Sequence, residues 1–397
     1  MLKKIGINDI RLGMYIHKIG GDWMDHPFWK NSFLLSEQKD MEKLENSKVN
    51  ELWIDTDKGL DVMKPDPVTS DLAQPDKQID QPAPITKEIS KVSVEEELQT
   101  AKKIHAKTKD AVTIMFNEVR MGKSAQVEEA VMLVDEINLS MARNANAMLS
   151  LIRLKTADEY TYLHSVAVCV LMVALGKQLG LHGEELKQVG VAGLLHDIGK
   201  MAIPGKVLNK PGKLTDDEFA IVKNHPRRGW EILRTVYQAS EPALDVCLHH
   251  HERMDGKGYP EKLSADNLTL HARMGAICDV YDAITSERCY KKGWEPAEAI
   301  KKMAEWKGGH FDEIVFHAFV KTIGIYPNGT LLKLKSDRLG VVIEQSEKSL
   351  IMPVVKVFFS IHSNCHIPVE IIDLSKSTDS VVNAENPQQW ELDLEKI

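Results

Sequence analysis

From Thr156 to Ile325 the apolar residues recur with a helical period, and after Tyr326 they alternate or run β-branched. So long a stretch without strand signals must pack helix on helix, since each helix has one apolar face to bury. Breaks fall at Pro204, Pro211, Gly256 to Pro260 and Gly308, where Gly or Pro interrupts the pattern. The fold class is therefore mainly α: an all-helical bundle over 151–325, followed by a short β element and tail over 326–397. The runs LLKLKS, GVVIEQ and PVVKVFFS, separated by DRLG and KSLIMP, predict antiparallel strands. From about Asn386 the chain is polar and is expected to be loose.

The front of the chain reads differently. Residues 1–62 predict a small α+β domain, with strand-like Met14-Tyr15-Ile16 and Leu52-Trp53-Ile54 and a helical stretch from Ser36. Trp23, Phe28, Trp29 and Phe33 are its candidate core. Residues 63–92 are rich in Pro, Asp and Gln, with too few large apolar groups to repay ordering, so they read as a linker. Over 93–150 two helical stripes follow: Val94, Leu98, Ala101, Ile104, Val112, Met115 and Val119, then Val127, Val131, Val134, Ile137, Met141 and Met148. They are expected to pack on each other, on the next domain, or on a second copy of the chain in a homodimer.

The chain has 397 residues and a net charge of −8, which gives it no general attraction to DNA, RNA or an anionic bilayer. Its 5 Cys are scattered with no C-x-x-C. That argues against a disulfide framework or thiolate zinc site and for a reducing, cytoplasmic setting. The start, MLKKIGINDIRLG, lacks a signal-peptide core. The longest apolar stretch, Val166 to Gly176, is about half of a roughly 20-residue span, so no membrane span is expected.

Ten of the 15 His fall between His164 and His317. The apolar lead Ala192-Gly193-Leu194-Leu195 runs into His196-Asp197-Ile198-Gly199-Lys200; His225 and His249-His250-His251-Glu252 follow, with His164 upstream and Asp279 downstream. A His-Asp pair after an apolar run buries a carboxylate, which then needs a strong partner such as a metal ion. Mostly imidazole donors with a carboxylate able to bridge suit a dinuclear hydrolytic site. Singly, each has an ordinary reading: His182, His271, His310 and His317 as surface or satisfied core groups, His249 as structural, His250-His251-Glu252 as a solvated turn.

Five segments, HDIGK, IPGKVLNKPGKLTDDE, HPRRGWEIL, HHERMDGKGYP and DVYDAITSERCY, resemble the HD-GYP subgroup of the HD phosphohydrolases over about residues 150–325. The Gly258-Tyr259-Pro260 tripeptide after HHE-x-x-D-G is the most specific part. RLGMYI and LWIDTDKG resemble a small domain of unknown function often found ahead of such domains. The resemblance implies metal-dependent hydrolysis of cyclic di-GMP to linear pGpG in bacterial signalling, with a second cut to GMP left open. The alternatives are a cyclic GMP-AMP phosphodiesterase and a silent cyclic-dinucleotide receptor. It further implies one metal on His164, His196, Asp197 and Asp279, and a second on Asp197, His225, His250 and His251, the ions being iron or manganese. Tyr160 stands where some members carry a third-metal Glu, so two ions are expected. Asp197 and Lys200 take the catalytic roles, with Lys200 one helical turn after His196. Lys200, Arg288 and Lys291 take the substrate contacts. Cys289 sits where proline is common. The Gly258-Tyr259-Pro260 loop serves loop structure and docking, with a GGDEF-type diguanylate cyclase as the expected partner.

Overall fold

The computed structural model describes residues 2–19, 33–36, 38–45, 51–60, 90–122, 127–152, 160–210, 212–236, 239–286, 293–306, 309–346, 349–390 and 392. The chain divides into two compact units, Met1–Glu88 and Ile89–Ile397.

The first unit is a four-stranded antiparallel sheet in the order β1-β4-β2-β3, formed by β1 (Leu2–Gly6), β2 (Tyr15–Ile19), β3 (Phe33–Leu34) and β4 (Glu51–Asp55), with helix α1 (Gln38–Glu45). Alternation along β4 turns Leu52 and Ile54 inward and leaves Trp53 half-buried. The inward set is aliphatic: Ile5, Ile10, Met14, Ile16, Leu35, Leu44, Leu52 and Ile54, with Phe33 packed at its margin. Of the aromatic core proposed from sequence, Trp23, Phe28 and Trp29 lie outside the described residues.

The second unit opens with α2 (Val94–Arg120) and α3 (Val127–Leu151), two antiparallel-patterned stripes that pack on each other and on the bundle behind them. Ser93 and Glu96 form a reciprocal capping box at the start of α2. The apolar stripes are consumed inside the chain: Ala101, Ile104, Val112, Met115, Val134, Ile137, Met141 and Met148 are all buried. Next come α4 (Tyr160–Gln178), α5 (Gly183–Leu195), a 3-10 turn (Ile198–Ala202), α6 (Gly205–Leu208), α7 (Asp216–Val222), α8 (His225–Val236), α9 (Glu241–His249), α10 (Leu270–Thr285), α11 (Pro296–Trp306) and α12 (Glu313–Ile323). Helix α4 is apolar all round and is covered by α5, α10, α2, α12 and α3. By length and composition its 18-residue window Thr161–Gln178 is apolar enough to cross a membrane, but 78% of that window is buried in the bundle, as in the core helix of a globular domain. Each fully buried Val or Leu along it stabilises by roughly 1.5–3 kcal/mol.

The β element is larger than the sequence suggested. Strands β5 (Leu331–Leu334), β6 (Arg338–Glu344), β7 (Val354–Ser360), β8 (Cys365–Asp373) and β9 (Val381–Glu385) form an antiparallel sheet in the order β8-β7-β6-β5-β9. Two apolar clusters cover its faces, one around Val355 and Val357, the other around Phe358 and Phe359. Pro368 within β8 obscures the strand in the sequence, and the edge position of β8 is what tolerates it. The segment after Asn386 is not loose throughout: Pro387–Trp390 form a 3-10 turn, and Trp390 donates to Glu385 at 3.1 Å and packs on Phe359.

Candidate metal centre

Five elements of the second unit deliver the chemistry-bearing side chains to one point. His164 comes from α4, His196 and Asp197 from the end of α5, His225 from the start of α8, His250 and His251 from the end of α9, and Asp279 from α10. The buried run Val189 to Leu195 anchors α5 in the core, and the helix stops at Leu195. His196 keeps helical torsions, but Asp197 turns out of them at φ −103°, ψ 9°. The pair converges through this turn and not through a continuous helix face, so Lys200 lies on the 3-10 turn, three residues beyond Asp197. Gly199 makes the approach of α8 feasible: a Cβ there would sit 1.9 Å from the His225 carbonyl oxygen and 2.4 Å from the Gly229 nitrogen. No side chain fits that crossing.

His164 Nε2 lies 3.0 Å from Asp279 and 3.4 Å from Asp197, and 3.3 Å from His196 Nε2. His196 Nε2 is 3.3 Å from the same Asp197 oxygen, Oδ2. The other oxygen, Oδ1, faces His225 Nε2 at 3.2 Å and His250 Nε2 at 3.8 Å. His251 completes that side, its Nδ1 3.6 Å from Asp279. Among the described residues, three sets have donor atoms within 4.8 Å of one another: His164-His196-Asp279, His196-Asp197-His250 and His225-His250-His251.

The outer nitrogens settle the tautomers. The Nδ1–H groups of His196, His225 and His250 donate to the carbonyls of Gly193 (2.8 Å), Val222 (2.8 Å) and Val246 (2.9 Å). A carbonyl only accepts, so Nδ1 carries the proton and Nε2 turns a lone pair inward. His164 Nδ1 donates to Asp282 at 2.6 Å. Asp197 Oδ1 is buried without a hydrogen-bond partner, aimed at imidazole lone pairs. An anionic oxygen among lone pairs is repelled unless a cation stands between them. The arrangement, nitrogen and carboxylate donors without thiolate, suits a divalent metal site.

The electrostatics agree. Burial opposes a proton on His164, but Asp197, Asp279 and Asp282 outweigh it and raise His164 to about 10: a proton is held where a cation would serve. Burial also opposes ionisation of Asp197 and Asp279. Lys200 beside the one, and the hydrogen bond from His164 to the other, overcome it and hold both well below the usual carboxylate range. On the far side, burial pushes His251 down to about 3 and His250 well below its ordinary value, so both are neutral and ready to donate lone pairs.

Lys200 is paired with Asp197 Oδ2 in this state. Tyr259 stacks on His251 with centroids 4.7 Å apart, and burial foremost pushes its phenol up, so it stays protonated. Gly258 is needed for that fold-back, since a Cβ would meet the Glu252 Cα at 2.4 Å. Pro260 follows a cis bond. Arg288, Lys291 and Cys289 lie outside the described residues, as does the Tyr160 side chain. Two groups escaped the sequence reading. Asp282 orients His164, and lies three residues after Asp279 on the same helix face. Glu252, far from being part of a solvated turn, is buried and accepts from the backbone N–H groups of Glu261 (2.6 Å), Lys262 (2.9 Å) and Leu263 (3.1 Å), which ties down the Gly258-Tyr259-Pro260 loop.

Residues 132–315 match the family described as HD domain, and residues 2–130 match a domain of unknown function, DUF3391. A cyclic di-GMP phosphodiesterase of Pseudomonas aeruginosa is 52% identical over 393 residues, 98% of this chain and 94% of that one. The cyclic di-GMP phosphodiesterase response regulator RpfG of Xanthomonas campestris is 43% identical over 139 residues, 35% of this chain and 37% of that protein. The 3'3'-cGAMP-specific phosphodiesterase 2 of Vibrio cholerae is 37% identical over 150 residues, 38% of this chain and 29% of that protein. With similarity that runs nearly end to end, and with the histidine-aspartate cluster set beside a Gly-Tyr-Pro loop, this chain is a phosphodiesterase and belongs to the HD-GYP family.

Proposed function

We propose that this phosphodiesterase opens cyclic di-GMP to linear pGpG, using two divalent cations, iron or manganese. The observation that carries the reading is the buried Asp197 carboxylate, one oxygen facing His164 and His196 and the other facing His225 and His250. On this reading His164, His196, Asp197 and Asp279 hold one ion, and Asp197, His225, His250 and His251 the other. When bound, the ions neutralise the phosphodiester and acidify a water to a nucleophile.

The remaining work falls to the chain. Asp282 holds His164 in the donating tautomer. Lys200, which in the structure pairs with Asp197, would bind a phosphoryl oxygen of the scissile phosphate or supply a proton to the departing 3′ oxygen. Arg288 and Lys291 take further substrate contacts, Arg288 through bidentate phosphate geometry. Tyr259 covers the flank of His251 and stays out of the proton traffic. A GGDEF-type partner would dock on the exposed side of its loop, at Lys257, because the Tyr259 ring faces His251. If two chains pair, the exposed Ile114, Met132 and Leu139 on α2 and α3 are the available apolar groups, the main stripes being buried in the chain. The setting is the cytoplasm, where its free, buried Cys169, Cys247 and Cys278 stay reduced.

The test is elemental analysis of anaerobically purified protein, followed by product identification with cyclic di-GMP and cyclic GMP-AMP in parallel. Two metal equivalents and linear pGpG are expected. Absence of ring opening with both iron and manganese refutes the reading, and binding of intact cyclic di-GMP in that case identifies a receptor. The similarity to a cGAMP-specific enzyme favours one second reading: a higher kcat/KM for cyclic GMP-AMP would reassign the substrate.

A further inference from the structure

Lys223 is the C-terminal cap of α7 and opens the turn to α8, two residues before His225. Its ammonium lies 4.6 Å from the centroid of Phe219 and 5.4 Å from that of Tyr259, the ring stacked on His251. Among the described residues no carboxylate is paired with it; two ring faces hold it. Ring quadrupoles attract an ammonium without cancelling its charge, and the alkyl stem packs while the head stays available. Lys200, also beside the centre, is engaged with Asp197. Phe219 is 46% exposed on α7, so part of its ring is open to a flat ligand.

A cyclic dinucleotide carries two phosphodiester anions, and only one can be at the centre when it reacts. The second needs a cation nearby, and the base attached to that half needs an apolar face. We propose that Lys223 and Phe219 form the half-site for the non-reacting nucleotide, Lys223 binding its phosphate and Phe219 stacking its base. The proposal rests on the cyclic-dinucleotide reading above. An ammonium beside a phosphate makes a charge-assisted contact, and stacking on an aromatic face tolerates either purine.

The test is steady-state kinetics on the full, metal-loaded chain with cyclic di-GMP and with bis(p-nitrophenyl) phosphate, a diester with one phosphate and no purine. Lys223→Ala is expected to raise KM for cyclic di-GMP about tenfold while kcat holds within about threefold. The rise should shrink in high salt, and Lys223→Arg should recover most of it. Phe219→Ala is expected to raise KM about tenfold without that salt dependence. Neither loss should appear with the single-phosphate ester. Unchanged KM in both alanine variants overturns the half-site. So does an equal loss on both substrates that Lys223→Arg does not rescue, which would make Lys223 a prop for Tyr259. If the wild-type chain cleaves the simple diester but not cyclic di-GMP, the substrate assignment fails first and the half-site with it; if it cleaves both, only the variants decide.

Discussion

Asp282 is no proposed ligand of either ion, yet it decides what His164 offers. Its carboxylate accepts from His164 Nδ1 at 2.6 Å and is buried at the base of the site. Asp282→Asn keeps the shape and removes the charge, and is expected to weaken metal binding by about 10- to 100-fold with the fold intact. Metal titration followed by elemental analysis reads the affinity, and circular dichroism the fold; undiminished affinity would reduce Asp282 to a packing group. Glu252 works on backbone, not metal. Glu252→Ala would strand three N–H groups of residues 261–263, and a loss of about 3 kcal/mol in urea unfolding is expected. A change under about 0.5 kcal/mol would show that water replaces the carboxylate. These two residues mark where legibility ended. His196-Asp197 and His250-His251 stand out because polar ligand types interrupt apolar runs, a pattern visible in one dimension. Asp282 and Glu252 have ordinary neighbours, and their roles depend on which imidazole or backbone group the tertiary fold brings within reach.

At the level of elements, period and composition exposed most of the helices, whereas partners and junctions stayed hidden. The stripes on α2 and α3 could equally have met a second chain, because an apolar face carries no address. The address is polar: Glu97 on α2, 2% exposed, accepts from Arg143 at 2.6 and 2.8 Å and from Ser140 at 2.6 Å, all across the α2–α3 seam. Burial alone would raise Glu97, but Arg143 and Ser140 outweigh it and hold it below the ordinary carboxylate value. Its stabilising contribution is therefore fully present above the unfolded carboxylate range, near pH 4.3. It is lost as pH falls through the lower folded value. Glu97→Gln is expected to cost about 2 kcal/mol at pH 7, discounted because Arg143 is partly exposed. In urea melts the gap between wild type and variant should narrow as pH drops below about 4. A gap that stays constant with pH would assign the loss to shape, not charge. The 3-10 turn after α5 was equally unreadable, since the Gly199 crossing that shapes it involves α8, which begins 26 residues further on.

On the scale of the molecule, the division at Glu88 and Ile89 separates an aliphatic β-rich core from everything that does chemistry. His164, His196, Asp197, His225, His250, His251 and Asp279 all belong to the second unit, as do Asp282, Lys200 and the α2–α3 pair. The second unit also contains its own start. Val92 donates its N–H to the Arg143 carbonyl at 3.3 Å and accepts from the Asn144 side chain at 3.0 Å, at the point where α3 departs from helical torsions, and Ser93 caps α2. Two truncations therefore differ sharply despite a difference of five residues. A chain beginning at Ile89 keeps Val92 and Ser93, and is expected to hold its metal and retain kcat/KM within about threefold of the full chain. A chain beginning at Val94 loses the cap and both contacts of Val92, and is expected to be less stable by about 2 kcal/mol with its metal ligands still in place. Urea unfolding and product formation, measured on both, separate the two effects. If the Ile89 chain already loses activity tenfold or more while its unfolding midpoint is unchanged, the first unit acts on turnover directly. If activity falls only with the Val94 chain, the front unit is dispensable for catalysis and the anchorage of α2 on α3 is what the active centre requires.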